Sequence, residues 1–142
     1  MQVVSGPLHR QKVHFEAPPA QRLSQELERF LDWVNAEGPS ASAAPALIKA
    51  GLGHLWLVTL HPFDDGNGRI GRAVGDLLLA RADGSTQRFY SLSAQIQRER
   101  KAYYDTLERT QKGSMDVTEW LQWFLATLLR AALASPALTS WA

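Results

Sequence analysis

Most of the side chains that could do chemistry here sit in one stretch, His61-Pro-Phe-Asp-Asp-Gly-Asn-Gly-Arg-Ile-Gly-Arg72. A histidine closes an apolar segment, two carboxylates follow, and then Gly66-Asn67-Gly68 runs into two arginines three residues apart. Successive backbone N–H groups in a glycine-rich turn form an anion-binding nest. A helix starting there adds the positive end of its dipole. Glycine suits the turn because it accepts positive φ and lets a phosphate approach the backbone without meeting a Cβ. Arg69 and Arg72 offer forked donors to further phosphate oxygens, so the segment suits a polyphosphate better than a monophosphate. Asp65 can take a share of a Mg²⁺, an ion usually held by one or two carboxylates with phosphates and water filling its shell. Asp64 reads more simply as a cap for the next helix. His61 is the group in this stretch suited to general-base work near neutral pH.

Positioning these groups requires a helix ending at His61 and another starting after Gly68. Apolar residues through Leu47, Ile48, Leu52, Leu55, Trp56 and Val58 predict a helix over about 45–60, apolar on most sides and therefore central. Pro62 disfavours helical geometry at His61 and ends it. The next helix, about 68–82, carries an apolar stripe of Ile70, Ala73, Val74, Leu77 and Leu78. Upstream, Val3 and Val4, then Val13 and Phe15, flank the turn-rich stretch Ser5 to Lys12 and predict a β-hairpin. Leu23, Leu27, Phe30, Leu31 and Val34 make one face of a helix that starts after Pro18-Pro19 and stops near Glu37-Gly38-Pro39. Residues 38–45 read as a loop. A further helix spans about 93–111, with the charged run Gln97 to Lys101 as a solvated face. The last helix opens with a capping box of Asp116 and Glu119 and buries Trp120, Leu121, Phe124, Leu125 and Leu128. His54 reads as a hydrogen-bonded core residue, because nothing is spaced to complete a metal site with it.

The chain has 142 residues, a size for one domain with one hydrophobic core. The expected fold class is all-α, about five helices with one small N-terminal hairpin. Residues 1–16 are the hairpin, 61–72 the chemical loop and helix start, and 135–142 a frayed tail. Apolar residues make up 45% and charged residues 20%, which excludes a disordered chain. The net charge of +1 argues against a nucleic-acid partner or an anionic membrane surface. No cysteine is present, so disulfides, thiolate metal sites and a cysteine nucleophile are excluded. Absence of cysteine and of an apolar leader fits a cytoplasmic protein, with secretion as an effector left open.

The segment resembles the Fic signature, H-x-F-x-(D/E)-G-N-G-R-x-x-R, at His61, Phe63, Asp65, Gly66, Asn67, Gly68, Arg69 and Arg72. The hairpin running into Pro18-Pro19, the pair Tyr103-Tyr104, the run to Gln111-Lys-Gly and the Trp120-Leu-Gln-Trp-Phe helix extend the resemblance over most of the chain. The resemblance implies a Fic-type helical core. It also implies transfer of AMP from ATP to a Ser, Thr or Tyr hydroxyl of a protein, with release of pyrophosphate. In that scheme His61 deprotonates the hydroxyl, Phe63 anchors the loop in the core, and Asp65 holds Mg²⁺. Gly66, Asn67 and Gly68 cradle the α-phosphate, and Arg69 and Arg72 hold the β- and γ-phosphates. Tyr103, Tyr104 and Gln111 lie on the nucleoside side, with at most one tyrosine facing a base. The strand Val13, His14, Phe15 and Glu16 takes the target segment as a docking flap. Transfer of UMP, GMP or phosphocholine, removal of AMP, and a non-catalytic nucleotide-binding module remain alternatives.

Two departures from the family pattern shape the partner expectations. Fic cores carry at least one helix before the flap, whereas Met1 lies almost in the hairpin, so an N-terminal helix or domain is expected to be lacking. The inhibitory pattern (S/T)-x-x-x-E-(G/N) is also missing: Glu37-Gly38 has Trp33 four residues back, and Glu28 is followed by Arg29. An inhibitory helix is therefore expected from upstream sequence or from a separate antitoxin-like chain. A homodimer is also open. Without that glutamate, Arg72 is expected to be free for the γ-phosphate.

Overall fold

The computed structural model describes residues 2–36, 43–84 and 90–136. The expected stop at Glu37-Gly38-Pro39, most of the loop at 38–45 and the tail from 137 lie outside the described residues. A two-stranded antiparallel hairpin, β1 (Gln2–Ser5) and β2 (Lys12–Glu16), leads into six helices. These are α1 (Ala20–Asn35), α2 (Ala43–Leu60), α3 (Asn67–Asp83), α4 (Leu92–Arg98), α5 (Arg100–Lys112) and α6 (Thr118–Leu133). The all-α class with one small hairpin is thus observed.

Helix α2 is central, packed against α1, α3 and α6. It buries Ala50, His54, Leu55, Leu57, Val58 and Leu60. Phe30 and Val34 of α1, Leu78 and Leu79 of α3, and Trp120, Phe124 and Leu128 of α6 complete the core around it. The Trp120 indole N–H donates to the carbonyl of Gly51 across 2.9 Å, fixing α6 on α2. Glycines set how closely α2 and α3 approach. A Cβ on Gly71 would stand 2.7 Å from Val58 Cγ1, and one on Gly53 2.7 Å from Leu78 Cδ1. At Gly53 the end of the Leu78 side chain could give way, but Val58 is branched at Cβ and stiff, so Gly71 is the position that sets how closely the helices cross.

That crossing keeps Leu78 and, partly buried, Val74 of the expected α3 stripe on the core and overturns the rest. Gly71, Gly75, Leu78 and Leu79 are buried. Ile70, at 37% exposure, and Leu77, at 44%, face outward. Apolar periodicity favoured the larger side chains, but the face that meets α2 had to be the one with the smallest residues. Likewise Leu31 of α1 and Ile48 of α2 are exposed rather than buried.

The single helix expected over 93–111 is two, broken at Glu99, whose backbone (φ −105°, ψ 27°) leaves helical geometry. The Glu99 carboxylate accepts hydrogen bonds from Arg130 of α6 and, at 2.7 Å, from Gln95. Arg130 foremost holds its carboxyl below the usual carboxylate range. Glu99 is therefore a cross-link to α6 rather than part of a solvated charge run. The capping box at α6 is not formed either. Asp116 Oδ1 accepts from the Thr118 N–H at 2.9 Å, while Glu119 turns to Arg109 instead of returning to Asp116.

His54 is wholly buried, as expected for a core residue. Its Nε2 lies 2.9 Å from the Tyr103 hydroxyl, and its ring packs on Tyr103, Trp120 and Phe124. Burial foremost pushes its pKa down to about 3 and keeps it neutral, the Arg72 charge adding to the effect.

Two outcomes follow. Gly71→Ala is expected to cost about 1–3 kcal/mol of stability in a urea melt. Gly75→Ala, whose Cβ meets nothing closer than 3.8 Å, is expected to be neutral or slightly stabilising. Unfolded His54 binds a proton near pH 6.5 and folded His54 only near 3. Its contribution is therefore complete above about pH 6.5 and declines as pH falls toward 3. Stability measured between pH 4.5 and 7 should rise with pH, with a shallower slope in His54→Gln.

Candidate active site

The α2–α3 crossing brings the last residue before Pro62 and the first turn of α3 to one place. His61 has φ 49°, unusual for a residue with a side chain, yet its N–H still donates to the Leu57 carbonyl at 3.0 Å. This left-handed step ends α2 abruptly and puts His61 in the wall of a cavity of about 730 Å³. Burial lowers its pKa from the ordinary histidine value, and the Val58 carbonyl beside it works in the opposite direction. The imidazole is thus neutral at pH 7 and able to accept a proton.

Gly66 turns the chain into α3 with φ 85°, a conformation that favours glycine. The first backbone bond of the helix runs from the Ile70 N–H to the Gly66 carbonyl at 2.9 Å. Among the described residues no backbone carbonyl takes the N–H of Asn67, Gly68 or Arg69. These amides are the open donors of a helix N-terminus. Gly66, Asn67, Gly68, Arg69 and Arg72 all line the cavity with His61. The Arg72 guanidinium lies over Gly68, its Nη1 3.6 Å from where a Cβ would stand.

Two expected roles change. Phe63 does not anchor the loop through its ring, which is 43% exposed. Its backbone does so instead. The Phe63 N–H donates to Asn67 Oδ1 at 3.0 Å, and Asn67 Nδ2 donates to the Phe63 carbonyl at 2.6 Å. Asn67, only 4% exposed, is therefore the clamp that closes the loop. What it presents at the helix start is mainly its backbone N–H. On the hairpin, His14 lines the cavity, but Val13, Phe15 and Glu16 do not; Val3, Val4, Ser5 and Lys12 do.

Helix α5 forms the opposite wall. Tyr103 is buried and hydrogen-bonded to His54, and burial foremost pushes its hydroxyl pKa well up. Tyr104 is half exposed, with the Arg100 guanidinium 5.7 Å from its ring centre. Gln111 Nε2 donates to Thr59 Oγ1 of α2 at 3.2 Å. One tyrosine rather than two is thus open at this end.

The model of the Fic/DOC family matches residues 2–79. The chain belongs to the Fic/DOC family. Similar proteins include the "Protein adenylyltransferase Fic" of Drosophila willistoni, 32% identical over 116 residues, which are 80% of this chain and 22% of that protein. The protein of the same name from Culex quinquefasciatus is 34% identical over 93 residues, 66% of this chain and 17% of that one. That from Nematostella vectensis is 32% identical over 99 residues, 69% and 21%. The chain thus spans about a fifth of the length of the curated relatives it matches.

In this Fic/DOC chain Asp65 is 92% exposed at its side chain and sits 3.0 Å from Arg69 Nη2. Such an exposed pair is weak and easily exchanged for other partners. Among the described residues no group of three or more His, Asp or Glu side chains could hold a metal ion alone. Asp64, which makes no cap to α3, and Asp65 are both exposed and line the cavity, and carboxylates beside open phosphate donors fit Mg²⁺ completed by phosphate and water rather than a protein cage. Sequence reasoning passed over Ser5, Lys12, Arg100 and Glu108 as cavity residues. A signal existed for two of them: Arg100, Tyr104 and Glu108 recur every four residues along one helix face.

Asn67→Ala removes both contacts to Phe63 and is expected to cost about 1–3 kcal/mol. Phe63→Ala should cost under about 1 kcal/mol. Urea melts of the two variants side by side check which residue holds the loop.

Proposed function

We propose that this chain transfers AMP from ATP to a Ser, Thr or Tyr hydroxyl of a target protein, releasing pyrophosphate. One observation carries the reading. A neutral histidine, the open amides of a helix start and two arginines line one cavity. The names of the relatives support the choice of AMP.

The chemistry divides among the residues as follows. The helix-start amides and the glycine turn hold the α-phosphate and the charge it gains in the transition state. Arg69 and Arg72 hold the β- and γ-phosphates so that the leaving group departs in line. Asp65 would hold Mg²⁺, which when bound would supply charge neutralisation on the phosphates. The His61 ring nitrogen takes the proton of the incoming hydroxyl. The oxygen then bonds to the α-phosphorus as the bond to the pyrophosphate oxygen breaks. Tyr104 and Gln111 bound the nucleoside end, and the hairpin receives the target strand along its backbone. No helix among the described residues is long and apolar enough to cross a membrane.

Incubation with labelled ATP, Mg²⁺ and lysate proteins tests the reading. The chain is expected to label protein, and His61→Ala to lose at least about 100-fold of the rate while still binding ATP. Because His61 acts neutral and its pKa is lowered, the rate should climb with pH to a midpoint below 6.5 and level off above it. Equal labelling by both proteins, or labelling only from UTP, GTP or CDP-choline, rejects AMP transfer by this site.

A further inference from the structure

The hairpin contributes both strands to the cavity wall, yet it buries none of its residues. Val4 is 39%, Val13 43% and Leu8 92% exposed. Two strands without a buried face are marginal in water, so something other than apolar packing must hold them in place. The principal neighbour of β2 on the helical body is α5.

The contact between them is polar and centres on a bulge. Val3 pairs with Phe15 and Val4 with Val13, so β1 advances one residue while β2 advances two. His14 is the extra residue. A bulge re-aims a side chain out of the strand's alternation, and here His14 is carried onto two partners. Its Nε2 lies 2.6 Å from Ser5 Oγ, across the hairpin. Its Nδ1 lies 3.0 Å from Glu108 Oε2 on α5. Glu108 is further held by Lys112 Nζ at 2.6 Å and faces Lys12 Nζ at 3.9 Å. Hydrogen bonds from Lys112 and then His14 foremost hold the Glu108 carboxyl down at about 2, so it is ionised and only accepts. Nδ1 therefore carries the proton it donates, and in the neutral ring Nε2 accepts from the Ser5 hydroxyl. Both ring nitrogens, 94 residues from Glu108 in sequence, are committed to this link.

We propose that Glu108 is a positioning residue: through His14 it fixes the hairpin over the cavity and so sets where a strand paired to that hairpin is held relative to His61. The part concerning the paired strand rests on the transferase reading. Glu108 touches no reacting atom in that scheme. Its effect is confined to the hairpin, because α5 itself is held by Tyr103 in the core.

The test uses the whole chain as Glu108→Ala, Glu108→Gln, His14→Ala and the Glu108→Ala/His14→Ala double variant. Hydrogen exchange of the amides of residues 2–16 should quicken about tenfold in each alanine variant, with α5 protection unchanged. The two single effects should be less than additive in the double variant, since both break the His14–Glu108 link while Glu108 also faces Lys12 and His14 also meets Ser5. Glu108→Gln keeps an oxygen that accepts from Nδ1 and should restore much of the protection. ATP affinity by calorimetry should stay within about twofold in Glu108→Ala, while labelling of lysate proteins falls about tenfold. Unchanged exchange in the hairpin, loosening of α5 to the same degree, additive single effects, or full labelling from a loosened hairpin overturns the proposal. Wild type that labels nothing rejects the transferase reading instead, and the exchange data still decide whether Glu108 holds the hairpin.

Discussion

The close crossing of α2 and α3 governs the rest of this structure. Without a Cβ at Gly53 and Gly71, the helices meet with Val58 and Leu78 in the space those groups would fill. That spacing puts the C-terminal end of one helix beside the N-terminal start of the next. A short loop then joins an imidazole to a row of open amides. The loop itself is closed from within by the buried Asn67 carboxamide on the backbone of Phe63. The residues that carry these open amides line the cavity, so their placement is set by the packing of the helix start.

Electrostatics follow from the same packing. His54 and Tyr103 form a neutral, buried pair near the Arg72 charge, so the cation above them meets no competing charge from this pair. His61, partly buried at the helix end, is likewise kept neutral. The exposed Asp65–Arg69 pair is the loose part of the site. Both members are solvated, so each can change partners at little cost.

The hairpin obeys different physics from the helical body. Helices α1, α2, α3 and α6 hold one another by buried apolar surface around Phe30, Leu79, Trp120 and Phe124. The strands contribute nothing to that core and rest on a polar link from a bulged residue to α5. Such an element can shift without disturbing the core.

The sequence alone determined the helical class, the hairpin, the C-terminal end of the central helix and the chemical stretch from His61 to Arg72. These depend on local rules: apolar spacing, proline at a boundary, glycine at a turn. Rotation of α3 was not legible, because its larger apolar residues suggested one face while contact with α2 required the glycine face. The break at Glu99, the Asn67 clamp and the His14–Glu108 link were hidden for a related reason. Each joins groups whose partnership depends on how the chain is folded back on itself, and only tertiary structure decides which carboxylate a histidine meets 94 residues away. Spacing can announce that donors and acceptors exist; three-dimensional packing decides which of them pair and which are left to face a ligand.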